Sequence, residues 1–170
     1  MCIRDRYSIQ IFGNNLYPFQ YNFKYPKAGE INSSLDLKIY NLASEKTNSV
    51  DLSINTNDYY YIPRLKFSSF SNKLYIQSLN RLQNTLTLST YDLGSGKIKK
   101  IFSEKDETYV DVQEKLFLLE NENFFWISDR SGFNHIYLVQ NDGKSLKQIT
   151  SGNWDVAKLL GFNNTTIYYS

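Results

Sequence analysis

The sequence predicts an all-β fold, a partial β-propeller, on three observations. Short runs alternate apolar and polar residues, while no window of a dozen keeps apolar side chains at i, i+3, i+4 and i+7. Tyr, Phe and Trp make up 16% of the 170 residues, and such side chains suit pleated, half-buried surfaces. A four-strand unit also recurs, with aromatic starts at Tyr60, Tyr109 and Trp154, 49 and 45 residues apart. Four strands in about 40 to 50 residues is the period of a propeller blade. A sandwich or barrel has no reason to repeat in this way.

At the start of the chain, residues 1–6 share no pattern with the remaining sequence. They lack the apolar run and small-residue cleavage site of a signal peptide, so they read as a non-native scar that includes Cys2. Residues 7–170 read as propeller. The stretch between Ile11 and Leu35 breaks the period with Phe12, Tyr17, Phe19, Tyr21, Phe23 and Tyr25, and with Pro18 and Pro26. It is too long for a turn and too aromatic for a solvated linker. Residues 14–34 are expected to form an extended arm that holds Tyr17, Phe19, Tyr21, Phe23 and Tyr25 as a contact surface. The alternative is a long loop packed on its own blade.

LDLKIYNLASEKTNSVDL then matches the second half of a blade, with Tyr40-Asn41-Leu42 standing where Tyr91-Asp92-Leu93 stands later. Residues 59–103 form a whole blade: YYYIPRLKF, KLYIQSLNR, LTLSTYDL, a glycine turn and KIKKIF. Residues 109–151 form another: YVDV, FFWISDR, HIYLVQ and SLKQIT, with Asn141-Asp142-Gly143-Lys144 as a two-residue hairpin turn. Residues 154–170 open the next blade with WDVAKLL and TIYYS. That makes about three blades. Rings close at four to eight, so the chain is expected to be an internal fragment of a larger ring.

Composition excludes several function classes. A net charge of +2 with no basic stripe gives no electrostatic footprint for nucleic acid. One Cys and one His exclude a disulfide framework and a zinc site built from several such ligands. No apolar run of about eighteen residues occurs. No P-loop or dinucleotide glycine pattern is present, so no cofactor is expected.

Catalytic residues are not expected either. His135 sits at the start of a strand without a G-x-S-x-G elbow and reads as a histidine bonding locally or facing water. Asp106, Glu107 and Asp111 read as solvated loop charges. The acceptor patterns at Asn32, Asn163 and Asn164 are what an Asn-rich chain generates by chance.

Several motifs nonetheless point to a family. YPKAGEIN (25–32) followed by LDLKIYNL, SLNRLQNTLTL (78–88), FFWISDRSGFNHIYL (124–138) and LKQITSGNWDV (146–156) resemble the N-terminal propeller of the dipeptidyl peptidase IV family, in the family's order. Tyr109 stands where that family usually has Trp. The resemblance covers roughly residues 16–170. It implies the middle of an eight-bladed ring from an exo-acting serine peptidase that releases N-terminal X-Pro or X-Ala dipeptides.

Within that family a C-terminal α/β-hydrolase domain supplies Ser, Asp and His, and paired glutamates upstream of the YPKAG stretch, with no counterpart here, hold the substrate amine. The resemblance therefore implies no catalytic residue here. It implies a wall of the substrate chamber, peptide substrates reached through the complete enzyme, and an arm in a homodimer. An extracytoplasmic location, periplasmic, secreted or membrane-anchored, goes with it. The competing expectation is a non-enzymatic interaction propeller of Tol or WD type.

Overall fold

The computed structural model describes residues 5–25, 29, 32–52 and 60–170. Parts of the 1–6, 14–34 and 59–103 segments lie outside these residues. The chain divides into two compact units, Met1–Ser34 and Leu35–Ser170.

The first unit is an antiparallel ribbon of β1 (Asp5–Ile11) and β2 (Phe19–Tyr25). Its strand begins at Asp5, inside the segment read as a scar, and Asp5 and Arg6 pair with Tyr25 and Lys24. The reason is visible in the alternation of Tyr7, Ile9 and Ile11 with Ser8 and Gln10. Register places Tyr7 opposite Phe23, Ile9 opposite Tyr21 and Ile11 opposite Phe19. Because strand side chains alternate between faces, one face is apolar. The other carries Arg6, Ser8, Gln10, Gln20, Asn22 and Lys24, with Ser8 bonded to Asn22. The ribbon thus starts at Asp5, before the 14–34 stretch, and residues 12–18 are its turn.

The second unit is a succession of antiparallel sheets. β3 (Leu37–Asn41) and β4 (Lys46–Val50) form a two-stranded sheet. A four-stranded blade comes next, ordered β5 (Tyr60–Phe67), β6 (Lys73–Asn80), β7 (Thr85–Asp92) and β8 (Ile98–Lys105). The second blade comprises β9 (Phe117–Leu118), β10 (Phe124–Ser128), β11 (His135–Val139) and β12 (Leu146–Gln148), again each beside its chain neighbour. β13 (Leu159–Phe162) and β14 (Ile167–Tyr169) begin a further sheet.

Three apolar clusters alternate with the sheets. Val50, Leu74, Ile76 and Tyr91 pack between β3–β4 and the first blade. Tyr75, Leu79, Leu86, Leu88, Phe102, Phe124, Trp126 and Val139 pack between the two blades. Phe125, Ile136, Val156 and Leu159 pack between the second blade and β13–β14. β6 therefore buries both faces, Leu74 and Ile76 on one and Tyr75 and Leu79 on the other, and its run of buried residues is what a sandwiched strand requires.

Two expectations need correction. YVDV (109–112) is not a ladder strand; the first strand of that blade is the two-residue β9 at Phe117. The 140–145 turn is also longer than two residues. Gly143 N–H donates to Gln140 O at 2.8 Å and Gln140 N–H to Ser145 O at 3.0 Å, leaving Asn141–Lys144 as the loop. Gly143 sits at φ +71°, and a Cβ there would meet Ile101 O of β8 at 1.8 Å. Only glycine lets this turn close against the neighbouring blade.

Candidate functional site

The first strands of successive sheets converge, as strands nearest a propeller axis must. β5, the approach to β9 and the approach to β13 together line a cleft of about 640 Å³. Arg64, Asp111, Glu114, Lys115 and Lys158 give its wall both signs of charge. Arg64 donates to Glu114 at 2.5 Å across the boundary between the blades, with both side chains well exposed. An exposed pair of this kind contributes only about 0–1 kcal/mol to stability, so it does little to hold the two blades together.

Behind the cleft, polar bonds fasten one blade to the next. Glu104 of β8 accepts from Arg130 at 2.7 Å, and also from the Trp126 indole and the Ser128 hydroxyl of β10. Arg130 lies over two rings, 5.6 Å from the Phe102 centre and 5.3 Å from that of Tyr137. Toward the opposite end of β6, Lys73 donates to both Glu122 oxygens at 2.7 and 2.5 Å. That hydrogen bond holds the Glu122 carboxyl below its ordinary range. Burial, then the Glu122 charge, pushes the neighbouring Tyr75 phenol up to about 12. Both the burial of Tyr75 in the apolar cluster and the nearby carboxylate disfavour the phenolate.

His135 is buried at 2% exposure, so it does not face water. Ile136 N–H donates to Thr150 Oγ1 at 2.9 Å, and that hydroxyl lies 3.2 Å from His135 Nδ1. His135 Nε2 lies 3.0 Å from Gly152 O, an atom that only accepts. These partners assign the proton to Nε2 and leave Nδ1 to accept from Thr150. Trp154 packs edge-on against the ring at 5.2 Å. With both nitrogens occupied by Thr150 and Gly152, the imidazole ties β11 to the segment that follows β12 and is committed to structure. Asp106 caps its own loop through Thr108, whose hydroxyl and N–H, in that order, lower its pKa.

The five aromatic arm positions all fall in the first unit. Tyr17 lies in the turn and is exposed; Phe19 and Tyr21 are exposed on the apolar face of the ribbon. Phe23 is half-buried between ring contacts to Tyr7 at 5.7 Å and Tyr21 at 5.9 Å. Tyr25 closes the ladder opposite Asp5. Sequence reasoning singled out none of Arg64, Gln77, Gln113 and Glu114, all at or beside the cleft. The available signal was charge and amide groups placed inside otherwise strand-forming runs.

Antiparallel blades stacked through apolar faces, with their first strands gathered round a cleft of mixed charge, define a section of a β-propeller wall. The chain belongs to the dipeptidyl peptidase IV family: residues 5–170 match the family described as the dipeptidyl peptidase IV N-terminal region. Dipeptidyl peptidase 4 of Porphyromonas gingivalis superposes with a TM-score of 0.83 at 38% identity, over 98% of this chain and 24% of that one. Inactive dipeptidyl peptidase 10 of Rattus norvegicus is 30% identical over 93% of this chain and 22% of its own length. Dipeptidyl peptidase 4 of Arthroderma otae is 28% identical over 85% and 19%. The chain thus spans about a fifth to a quarter of these relatives. The Tol or WD reading gains no support from these matches.

Proposed function

We propose that the chain is the propeller portion of a dipeptidyl peptidase IV-like serine peptidase, which removes N-terminal dipeptides from short peptides. In this reading an α/β-hydrolase domain outside the chain supplies the nucleophile and base, and the cleft between β5, β9 and β13 belongs to the chamber through which peptides pass. The match of residues 5–170 to the family carries the reading. The fixed hydrogen bonds of His135 support it, since the chain's own imidazole is committed to structure. Dimerisation through the β1–β2 ribbon and an extracytoplasmic location complete the proposal.

The test is an assay of the full-length gene product on Gly-Pro-p-nitroanilide and on its N-acetylated form. Release from the free amine alone is expected, because an exo-acting enzyme must recognise the terminus. The relatives include a protein named as inactive, so a folded product that releases nothing from either substrate overturns the proposed activity. Cell fractionation and sedimentation test location and assembly.

A further inference from the structure

Residues 109–117 supply much of the cleft wall, yet only Phe117 of that stretch lies in a strand. Two glutamine side chains take the place of the missing ladder. Gln77 of β6 donates through Nε2 to Gln113 O at 3.0 Å, and Gln113 N–H donates back to Gln77 Oε1 at 3.1 Å. Gln113 repeats the arrangement one step further on. Its Nε2 donates to Ile127 O at 2.9 Å, and Ile127 N–H donates to its Oε1 at 3.0 Å.

A primary amide carries one acceptor and two donors on one planar group, so it reproduces the donor–acceptor pair that a neighbouring strand would offer. Both side chains are buried, at 3% and 8% exposure. Each bond is therefore made where an unpaired partner would be costly. The chain of four bonds runs from the first blade, through the backbone of residue 113, into β10 of the second. Its middle residue, Gln113, adjoins Glu114, the partner of Arg64 in the cleft.

We infer that Gln77 and Gln113 are positioning residues for the peptide cleft: their paired amides set the place of the 109–117 wall, and through it the charged groups that a passing peptide meets. The inference rests on the reading of the cleft as a peptide passage. A ladder strand would have tied the wall along its whole length. Two side-chain amides tie it at Gln113 and the Val110 N–H donates to Gln83 O at 2.9 Å, leaving Asp111 and Lys115 outside any sheet pairing.

The experiment uses the full-length protein with Gln77→Met, Gln113→Met and Gln77→Glu. Methionine keeps length and volume while removing both bonds; Gln77→Glu keeps the acceptor for Gln113 N–H and loses the donor. Hydrogen exchange followed by mass spectrometry reads residues 109–117 against β6 and β10. Steady-state kinetics read KM and kcat on a peptide of six or so residues.

Faster exchange confined to 109–117 is expected, with KM raised roughly three- to tenfold, kcat unchanged within about twofold, and Gln77→Glu in between. Unchanged exchange overturns the inference, as does faster exchange without a change in KM. Exchange that rises equally in β6 and β10 also overturns it, since the glutamines would then only hold the blades together. A wild-type protein without peptidase activity sinks the proposed function instead, and the exchange measurement still decides whether the amides hold the wall.

Discussion

Glu104 and Arg130 meet at 2.7 Å across the boundary between two blades, and the same carboxylate takes the indole proton of Trp126 in a hydrogen bond. The Glu104 side chain is only 11% exposed and Trp126 is fully buried. Removing the carboxylate leaves a buried N–H and a half-buried guanidinium without their acceptor. Such orphaned groups cost more than the pair itself contributes. Glu104→Ala is expected to lower stability by about 2 kcal/mol or more. Urea unfolding followed by tryptophan emission measures it; a loss below about 1 kcal/mol would class the contact with ordinary surface pairs.

Gly143→Ala is a purely steric counterpart. The new methyl would stand 1.8 Å from Ile101 O on the adjacent blade, in a backbone conformation at φ +71°. Backbone atoms on both sides must move, so the loss should exceed the roughly 1 kcal/mol of an unhindered Gly→Ala change at positive φ. Gly132→Ala provides the control: φ is +101° there, but no atom lies within 4 Å of the added carbon. Equal losses in the two variants would show that strain alone, without contact between blades, sets the cost.

Lys73 gives a pH-dependent outcome. Its hydrogen bond lowers Glu122 below the ordinary 4.5. A carboxyl depressed in the folded state contributes stability that is fully present above about 4.5 and is lost as pH falls through the lower folded-state value. Lys73→Met should therefore be less stable than wild type at neutral pH, and the two denaturation curves should converge under acid. At the alkaline end, Tyr75 is raised from 10.0 to about 12, so its contribution persists below 10.0 and disappears as pH rises through about 12. A gap between wild type and Lys73→Met that stays constant from neutral pH into acid would rule out the ion pair as its source.

How much of this was legible depended on whether backbone or side chains made the pairing. The β5–β8 blade could be read directly, because its strands alternate and the Asp92–Lys97 turn carries Ser95 capped by Asp92. YVDV could not, since it has a strand's alternation while its neighbour Gln113 takes its partners from side-chain amides. No local pattern announces an amide standing in for a strand. β1 was legible and passed over, because its first residues were set aside with Met1 although Tyr7, Ile9 and Ile11 already alternated. The cleft is harder still. Arg64 and Glu114 lie fifty residues apart, and only the blade repeat brings them within a hydrogen bond.

The ribbon leads to the last expected outcome. Two-stranded hairpins are marginal in water unless something covers their apolar face. Here that face carries Tyr7, Ile9, Phe19 and Tyr21, all exposed, with Tyr17 at 76% exposure in the turn. Its opposite face is polar throughout, so the amphipathic pattern asks for a partner on one side only. The proposed partner is the same ribbon surface of a second subunit, which a two-fold axis makes self-complementary. Aromatic anchors in such interfaces commonly cost about 2 kcal/mol or more when truncated, and the symmetry counts each substitution twice. Tyr17→Ala, Phe19→Ala and Tyr21→Ala together should convert the proposed full-length dimer to monomer while leaving the strand signal in circular dichroism unchanged. Sedimentation velocity reads the first effect. A triple variant that sediments as an intact dimer would return the ribbon to the other reading, a hairpin packed on its own blade.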